Sequence, residues 1–390
     1  MKIVLYKWGS NSETLLKKTL TESGHQIIEC STKCKHYTRD LELAGELMNM
    51  VHGVGADAII SYNYFPIISM VCNTIGIPYY SWVYDSPHYT LFAKTVGYDC
   101  NHIGIFDGAM VSYLNDIGIK SVMHLPLGSD WKEDIPVESE YKCDISFVGS
   151  LYSDTYNYYE NISMPDTIRE RADKYIECHR FIYDRDIPDT FFVNDKNAKD
   201  TLLTDELRNI LANAGLLPGE DYTEDVEYIF RASVLEKKVT VDERRILLEQ
   251  VAGKGYDFRL YTGSDLSTLP LLKRANRGYI DYNSIMPVVF RNSRINLNMT
   301  LRSIHTGIPL RALDIMGCGG FLLSNYQKEL GEIFEDGKEV VMFRSVEDCI
   351  EKIDYYLEHE EERRQIAHNG KIAVGEKLGL KEQLNKLLVM

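Results

Sequence analysis

Along the first 128 residues, short apolar runs alternate with amphipathic stretches. The runs KIVLY, HQIIEC, DAIISY, IPYYSWVY, HIGIFDGA and SVMHLPLG read as strands. Between them lie SETLLKKTLTESG, DLELAGELMNMVHGVG, FPIISMVCNTIG and MVSYLNDIG, which read as helices, several closing on glycine. Strands that are apolar on both faces and separated by helices predict a parallel sheet covered on both sides.

A polar stretch, GSDWKEDIPVESEYK, interrupts this pattern, and CDISFVGS starts a second alternating series. Residues 153–250 are rich in Tyr, Asp and Glu at helical spacing, as in MPDTIRERADKYIECHRFIYD and TDELRNILANAG, and read as a mainly helical insertion. The alternation resumes with DFRLYTG, RGYIDY, RINLNMT, FLLSNY and EVVMFRS. The expected fold class is α/β, with two Rossmann-like, doubly wound domains facing a cleft. The expected boundaries are 1–130 for the first domain, 131–142 for a linker and 143–375 for the second domain with its insertion. A C-terminal helix over 376–390 is free to pack back on the first domain. In such sheets, ligands sit beyond the carboxyl ends of the strands, so the cleft walls should carry the chemistry.

Length and charge narrow the classes. A chain of 390 residues is too long for one ordinary core. A net charge of −15 argues against a general binder of nucleic acid or acidic membrane, which needs a positive field. The N-terminus enters strand-like sequence at once, without a signal-peptide pattern, and no apolar run approaches the roughly 20 residues of a membrane span. These features predict a cytoplasmic protein without a transmembrane segment. The eight cysteines are scattered and form no Cys-x-x-Cys pair. Cys30, Cys34 and His36 come nearest to a metal cluster but read as ordinary thiols and a histidine, so no metal ligand is expected.

The stretch HTGIPLRALDIMGCGGFLLSNY, residues 305–326, follows a strand and opens a short helix. Pro309 suits its first turn, and the approach at Thr306 and Gly307 presents free backbone N–H groups, a natural anion site. Arg311 could add a forked cation for a diphosphate, and Asp314 could accept ribose hydroxyls. Equally, Arg311 and Asp314 could be an ion pair on an exposed helix. On the residues alone both readings stay open. In SWVYDSPHYT, Asp85 and His88 fall at a strand's carboxyl end, as general base, orienting acid or phosphate ligand, while Asp85 or Ser86 followed by Pro87 also suits a helix cap. His102 and His124 read as half-buried strand residues. In KWGSNSE, Gly9 could line the cleft, whereas Ser10 or Asn11 suits an ordinary cap. EHEEERR reads as a solvated helix face, and the Tyr-rich SDTYNYYENI suits packing at least as well as acceptor contact.

Several of these motifs resemble a family. PVVFRNSRINLNMT, the stretch from 305 and KELGEIFEDGKEVVMFRSVEDCIEKI are similar to the C-terminal domain of CgeB-like, spore-maturation-type glycosyltransferases of the GT-B superfamily. DISFVGSLY resembles the first strand and glycine loop of that domain, and YYSWVYDSPHYTLF and HLPLGSD resemble its N-terminal partner. The resemblance implies a GT-B fold and a metal-independent glycosyltransferase, of the hexosyltransferase kind. It would move a sugar from a nucleotide-sugar donor, a UDP-sugar by preference, to an unidentified glycan, protein or small-molecule acceptor. Asp314 takes the place of the ribose-holding acid. Thr306, Gly307, Ile308 and Arg311 would face the diphosphate, joined by Gly149 and Ser150. Tyr279 in NRGYIDY lies where the base packs. Thr306 departs from the pattern of many retaining relatives, which carry an acid there. A nucleotide-sugar epimerase of the same fold and a non-catalytic nucleotide-sugar-binding protein are the alternatives.

Overall fold

The computed structural model describes residues 1–129, 135, 141–154, 157–183, 201–217, 221–222 and 225–390. Most of the expected linker, 131–142, and part of the insertion lie outside the described residues.

The first domain holds strands β1 (Lys2–Tyr6), β2 (Gln26–Cys30), β3 (Ala58–Tyr62), β4 (Tyr79–Val83), β5 (Asn101–Ile105) and β6 (Val122–His124). Its helices are α1 (Glu13–Glu22), α2 (Leu41–Val54), α3 (Pro66–Ile75) and α4 (Gly108–Asp116). All six strands run parallel in the order β2-β1-β3-β4-β5-β6. Strands β3 and β4 are buried along their whole length, which explains their unbroken apolar sequence.

The second domain starts with β7 (Cys143–Val148) and passes through helices α5 (Tyr158–Asn161), α6 (Asp166–His179), α7 (Thr201–Asn213) and α8 (Val226–Phe230). A π-helical turn, Arg231–Leu235, leads into α9 (Glu236–Gly253). There follow β8 (Phe258–Tyr261), α10 (Pro270–Ala275), α11 (Met286–Arg291), β9 (Ser293–Asn298) and α12 (Leu310–Gly317). The chain continues through β10 (Leu322–Asn325), α13 (Lys328–Ile333) and β11 (Val341–Phe343) to α14 (Val346–Glu358), α15 (Glu360–Lys377) and α16 (Leu380–Leu388). The parallel sheet has the order β11-β10-β9-β7-β8. The expected strand in RGYIDY is absent. Asp281 instead closes a turn by accepting the Asn283 amide at 3.1 Å and the Ser284 amide at 2.8 Å, and only Asn276 bridges to β8.

The described part of the insertion has its own core, with Ala172, Leu207, Leu211, Phe230 and Val234 among its buried side chains. Another apolar cluster joins the two domains. It runs from Leu5, Leu16 and Trp82 through Phe106, Ile308 and Leu313 to Leu380, Leu384 and Leu387. Helix α16 thus packs on α1, β4 and β5 of the first domain, and the Ser129 amide donates to the Leu378 carbonyl at 3.0 Å. Among the described residues no helix is long and apolar enough to cross a membrane.

Candidate active site

The carboxyl ends of β1, β3 and β4 face those of β7 and β9 across a cavity of about 550 Å3. Trp8, Tyr37, Asn63, Phe65, Tyr84, Asp85 and His88 line it from the first domain, and Gly149, Ser150, Tyr152, Lys237, Arg244 and Arg311 from the second. An adjoining pocket of about 260 Å3 shares Gly149, Ser150 and Arg311 and adds Asn11, Thr262, Tyr279 and Tyr282. The fold therefore brings Asp85, His88, Gly149, Ser150, Arg311 and Tyr279 together. Gly9 is exposed and lines neither of these cavities, and its amide donates to Glu13 at 3.2 Å.

Asn63 organises the first wall. Its backbone is left-handed, with φ of 59°, a conformation a non-glycine residue holds only where its surroundings enforce it. Its side-chain oxygen accepts the Tyr84 and Asp85 amides at 3.2 and 3.3 Å, and its side-chain nitrogen donates to Asp85 at 2.6 Å. Asp85 is thereby aimed while staying exposed. It caps no helix. Ser86 likewise does not cap: its hydroxyl donates to the Ser303 carbonyl at 2.5 Å, and Ser303 returns a bond to the Ser86 carbonyl at 3.0 Å. That reciprocal pair ties the two walls.

The Tyr64 amide donates to His88 Nε2 at 3.1 Å. Nε2 also lies 3.3 Å from the Tyr64 carbonyl and 2.6 Å from the Thr90 hydroxyl, which itself donates to that carbonyl at 2.6 Å, so Tyr64 and Thr90 engage Nε2 whichever ring nitrogen carries the hydrogen. Burial pushes the His88 pKa down and outweighs the nearby Asp85 charge. His88 is therefore a neutral ring held through Nε2 by Tyr64 and Thr90, with Nδ1 as the nitrogen those contacts leave.

On the second wall, Gly149 and Ser150 end β7. The Ser150 carbonyl and the Met299 carbonyl both accept from Arg244, whose guanidinium also lies 5.0 Å from the Tyr152 ring. Lys237 lies seven residues earlier on α9, on the same face, with its ammonium 5.4 Å from the same ring. Burial lowers the Lys237 pKa, with Asp154 acting against it. Arg311 lies 5.6 Å over the Phe290 ring and contacts Met286, holding its charge between cavity and pocket. Three cations thus surround the glycine loop. Lys237 and Arg244 escaped the sequence reading because they sit in the segment read as a helical insertion. The available signal was a Lys and an Arg two turns apart in an otherwise buried helix, preceded by a π-turn, a feature frequent at functional sites.

The turn at Thr306, Gly307 and Ile308 corrects the expectation placed on it. The Thr306 and Gly307 amides donate to Asp107 of the first domain at 3.1 and 3.2 Å, and the His305 amide does so at 2.8 Å. Ile308 is buried in the apolar cluster between the domains. Gly307 and Ile308 are buried in a seam, and Thr306, half-buried, lines a second cavity and not the one that holds Arg311. Pro309 stands just ahead of α12, as its N-cap. Asp314 is 2% exposed, below the cavity surface, and accepts the Tyr282 hydroxyl at 3.1 Å. Of the two half-buried strand histidines expected, His102 stacks on Tyr80, whereas His124 pairs with Glu329 at 3.0 Å. Among the described residues no group of three or more His, Cys, Asp or Glu side chains is placed to hold a metal ion.

Residues 243–388 match the model of a family described as glycosyl transferase-like. Sucrose-phosphate synthase from Thermosynechococcus elongatus superposes with a TM-score of 0.56 at 10% identity, covering 100% of this chain and 98% of that one. T4 phage BGT in complex with its UDP-glucose substrate superposes with a TM-score of 0.51 at 10% identity, covering 100% of both chains. The fold is GT-B. No curated protein matches the chain. The GT-B arrangement accounts for the cleft between two parallel sheets, and the glycosyl transferase-like segment contains Arg244, Arg311 and Asp314 but begins after Lys237.

Proposed function

We propose that this GT-B protein transfers a sugar from a UDP-sugar to a hydroxyl of an acceptor bound in the same cleft. The observation that carries the proposal is the convergence of Lys237, Arg244 and Arg311 on the Gly149–Ser150 loop, opposite Asp85 and His88. Two neighbouring phosphates need cations and backbone donors in a partly desolvated site, which this wall supplies. The UDP-glucose bound to the structurally similar T4 phage BGT supports the same donor class.

In this reading the nucleoside occupies the smaller pocket against Tyr279 and Tyr282. Asp314 acts on the ribose through Tyr282, whose hydroxyl it orients. The anomeric carbon–oxygen bond to the diphosphate breaks, and its electron pair leaves with UDP. Lys237, Arg244 and Arg311 stabilise the charge that develops there. The acceptor oxygen forms the new bond to the anomeric carbon, and its proton passes to the Asp85 oxygen not held by Asn63. His88 positions a polar group of donor or acceptor at Nδ1. We further infer the CgeB-like subtype from the motifs around residues 144–152 and 305–326.

Incubation with a panel of UDP-sugars tests the reading. Slow release of UDP and free sugar is the expected result. An isomeric nucleotide-sugar would identify an epimerase, and binding without turnover in any acceptor mixture would identify a binding protein.

A further inference from the structure

The two walls of the cavity differ in chemistry. The second domain's wall is cationic, whereas the first domain's wall is aromatic. Trp8 and Tyr37 line the cavity yet remain 37% and 48% exposed. Rings of that size left in water are stabilised by whatever covers them. They are also held in place. Trp8 Nε1 donates to the Tyr62 carbonyl at 3.1 Å, and its ring lies 23° from the plane of Tyr84 at 6.4 Å. The Tyr84 hydroxyl donates to Ser10 at 2.8 Å, and Tyr37 packs on Phe65 at 5.7 Å. A preset platform costs little ordering entropy on binding.

Resting on the glycosyl-transfer reading, we propose that the acceptor is a neutral saccharide. It lays a ring face on Trp8 and Tyr37 and offers a hydroxyl to Asp85. A pyranose is apolar on its C–H faces and hydroxylated around its rim, and the wall repeats that division. The rings cover a face, and the Asp85 carboxylate at their edge accepts a hydroxyl donor. An anionic acceptor would bring its charge against Asp85. A cationic acceptor would find attraction at Asp85 and the ring faces, but it would enter a cavity that already holds Lys237, Arg244 and Arg311. A neutral polyol avoids both conflicts. The reacting hydroxyl is then the one at Asp85, between the platform and the cationic wall, so binding also sets the geometry of attack.

The experiment is a titration of the full chain with UDP, followed by titration of the UDP-loaded protein with malto-, cello- and chito-oligosaccharides. Calorimetry and tryptophan fluorescence provide the readouts. At least one series should bind and perturb the emission, and Trp8→Ala and Tyr37→Ala should each weaken that binding by about tenfold or more. Both side chains are exposed, so thermal melts close to the parent's are expected and confirm folding. UDP binding without binding of any neutral saccharide overturns this proposal alone. So does saccharide binding undiminished in both variants, or tighter binding of choline or glucose 6-phosphate. Absence of UDP binding overturns the glycosyl-transfer reading and this proposal with it.

Discussion

Asp107, which caps α4 in the first domain, also accepts the Gly307 amide of the second domain at 3.2 Å. The carboxylate collects the His305 and Thr306 amides and the Thr306 hydroxyl as well, the last at 2.8 Å. The backbone N–H groups ahead of α12 do form an anion socket. The anion in it is the chain's own. Glu329 reaches back in the opposite sense, accepting the Gly108 amide at 2.9 Å, and lies 2.7 Å from the Thr306 hydroxyl, whose single hydrogen serves one of the two carboxylates at a time. Each domain thus offers a buried carboxylate to the other's backbone, beside the Ser129–Leu378 contact of the C-terminal crossover.

Removing the Asp107 carboxylate should leave several buried donors unpaired. Asp107→Ala is expected to lower stability by at least about 2 kcal/mol in denaturant unfolding, and Asp107→Asn to restore part of the loss. A midpoint unchanged in the alanine variant would show that the seam does not hold the domains.

Gly307 has no room for a side chain. A Cβ there would lie 2.8 Å from Asp107 Cα and 2.9 Å from the Phe106 carbonyl oxygen, both backbone atoms. Neither can withdraw without breaking the amide bonds to Asp107. Gly307→Ala should therefore cost roughly 1–3 kcal/mol. Wild-type stability in that variant would mean that the domains adjust their contact freely.

The His124–Glu329 pair sets a pH window. The hydrogen bond that His124 donates to Glu329 raises the His124 pKa above its ordinary 6.5 despite partial burial. Burial works against the Glu329 carboxylate, yet the bonds from His124 and Thr306 hold its pKa below the ordinary 4.5. A raised histidine pKa contributes stability that is full below 6.5 and is lost as pH rises through the folded value. A lowered carboxylate pKa contributes stability present above 4.5 and lost as pH falls through the folded value. The stability difference between the parent and His124→Gln should therefore peak between about pH 4.5 and 6.5 and shrink on both sides. Thermal melts across pH 3–9 measure it, and a flat difference would contradict the pairing.

Arg311→Ala should weaken UDP by about ten- to a hundredfold while changing uridine affinity by about threefold or less, since only the diphosphate meets the guanidinium. Calorimetry with both ligands decides this, and equal losses for the two would move Arg311 away from the phosphates.

Asp85→Asn should cut turnover by about 10²–10⁴-fold with UDP affinity held, because it removes the proton acceptor and keeps the shape. His88→Ala should lower turnover less, as it loses a positioning contact and not the proton acceptor proposed at Asp85. Steady-state kinetics beside UDP titration separates the two, and full activity in Asp85→Asn would reassign the proton's destination.

Much of the fold was legible from pattern alone. Parallel strands buried on both faces are written as continuous apolar runs, so KIVLY, DAIISY, YYSWV and CDISFV declare themselves without a partner in view. RGYIDY misled because its apolar and aromatic content matches a strand, while Asp281 and Ser284 close a local turn that competes with pairing. The glycine loop at Gly149 and the turn at Asp85 were legible as strand ends. The cationic wall was not, because Lys237 and Arg244 look like the polar face of an ordinary helix until that helix is laid against β7.

What the sequence determined by itself was local: which segments become strands and helices, where they end, and that Thr306 and Gly307 would present unpaired amides. Only the tertiary structure decided what meets those ends. Asp107 lies about 200 residues from the amides it accepts, and Trp8 and Lys237 face one cavity although they stand in different domains. Backbone propensity and hydrophobic periodicity act over a few residues and can be read in one dimension. The choice between a phosphate and the chain's own carboxylate as the occupant of an amide socket depends on how two domains pack, and no local pattern encodes that.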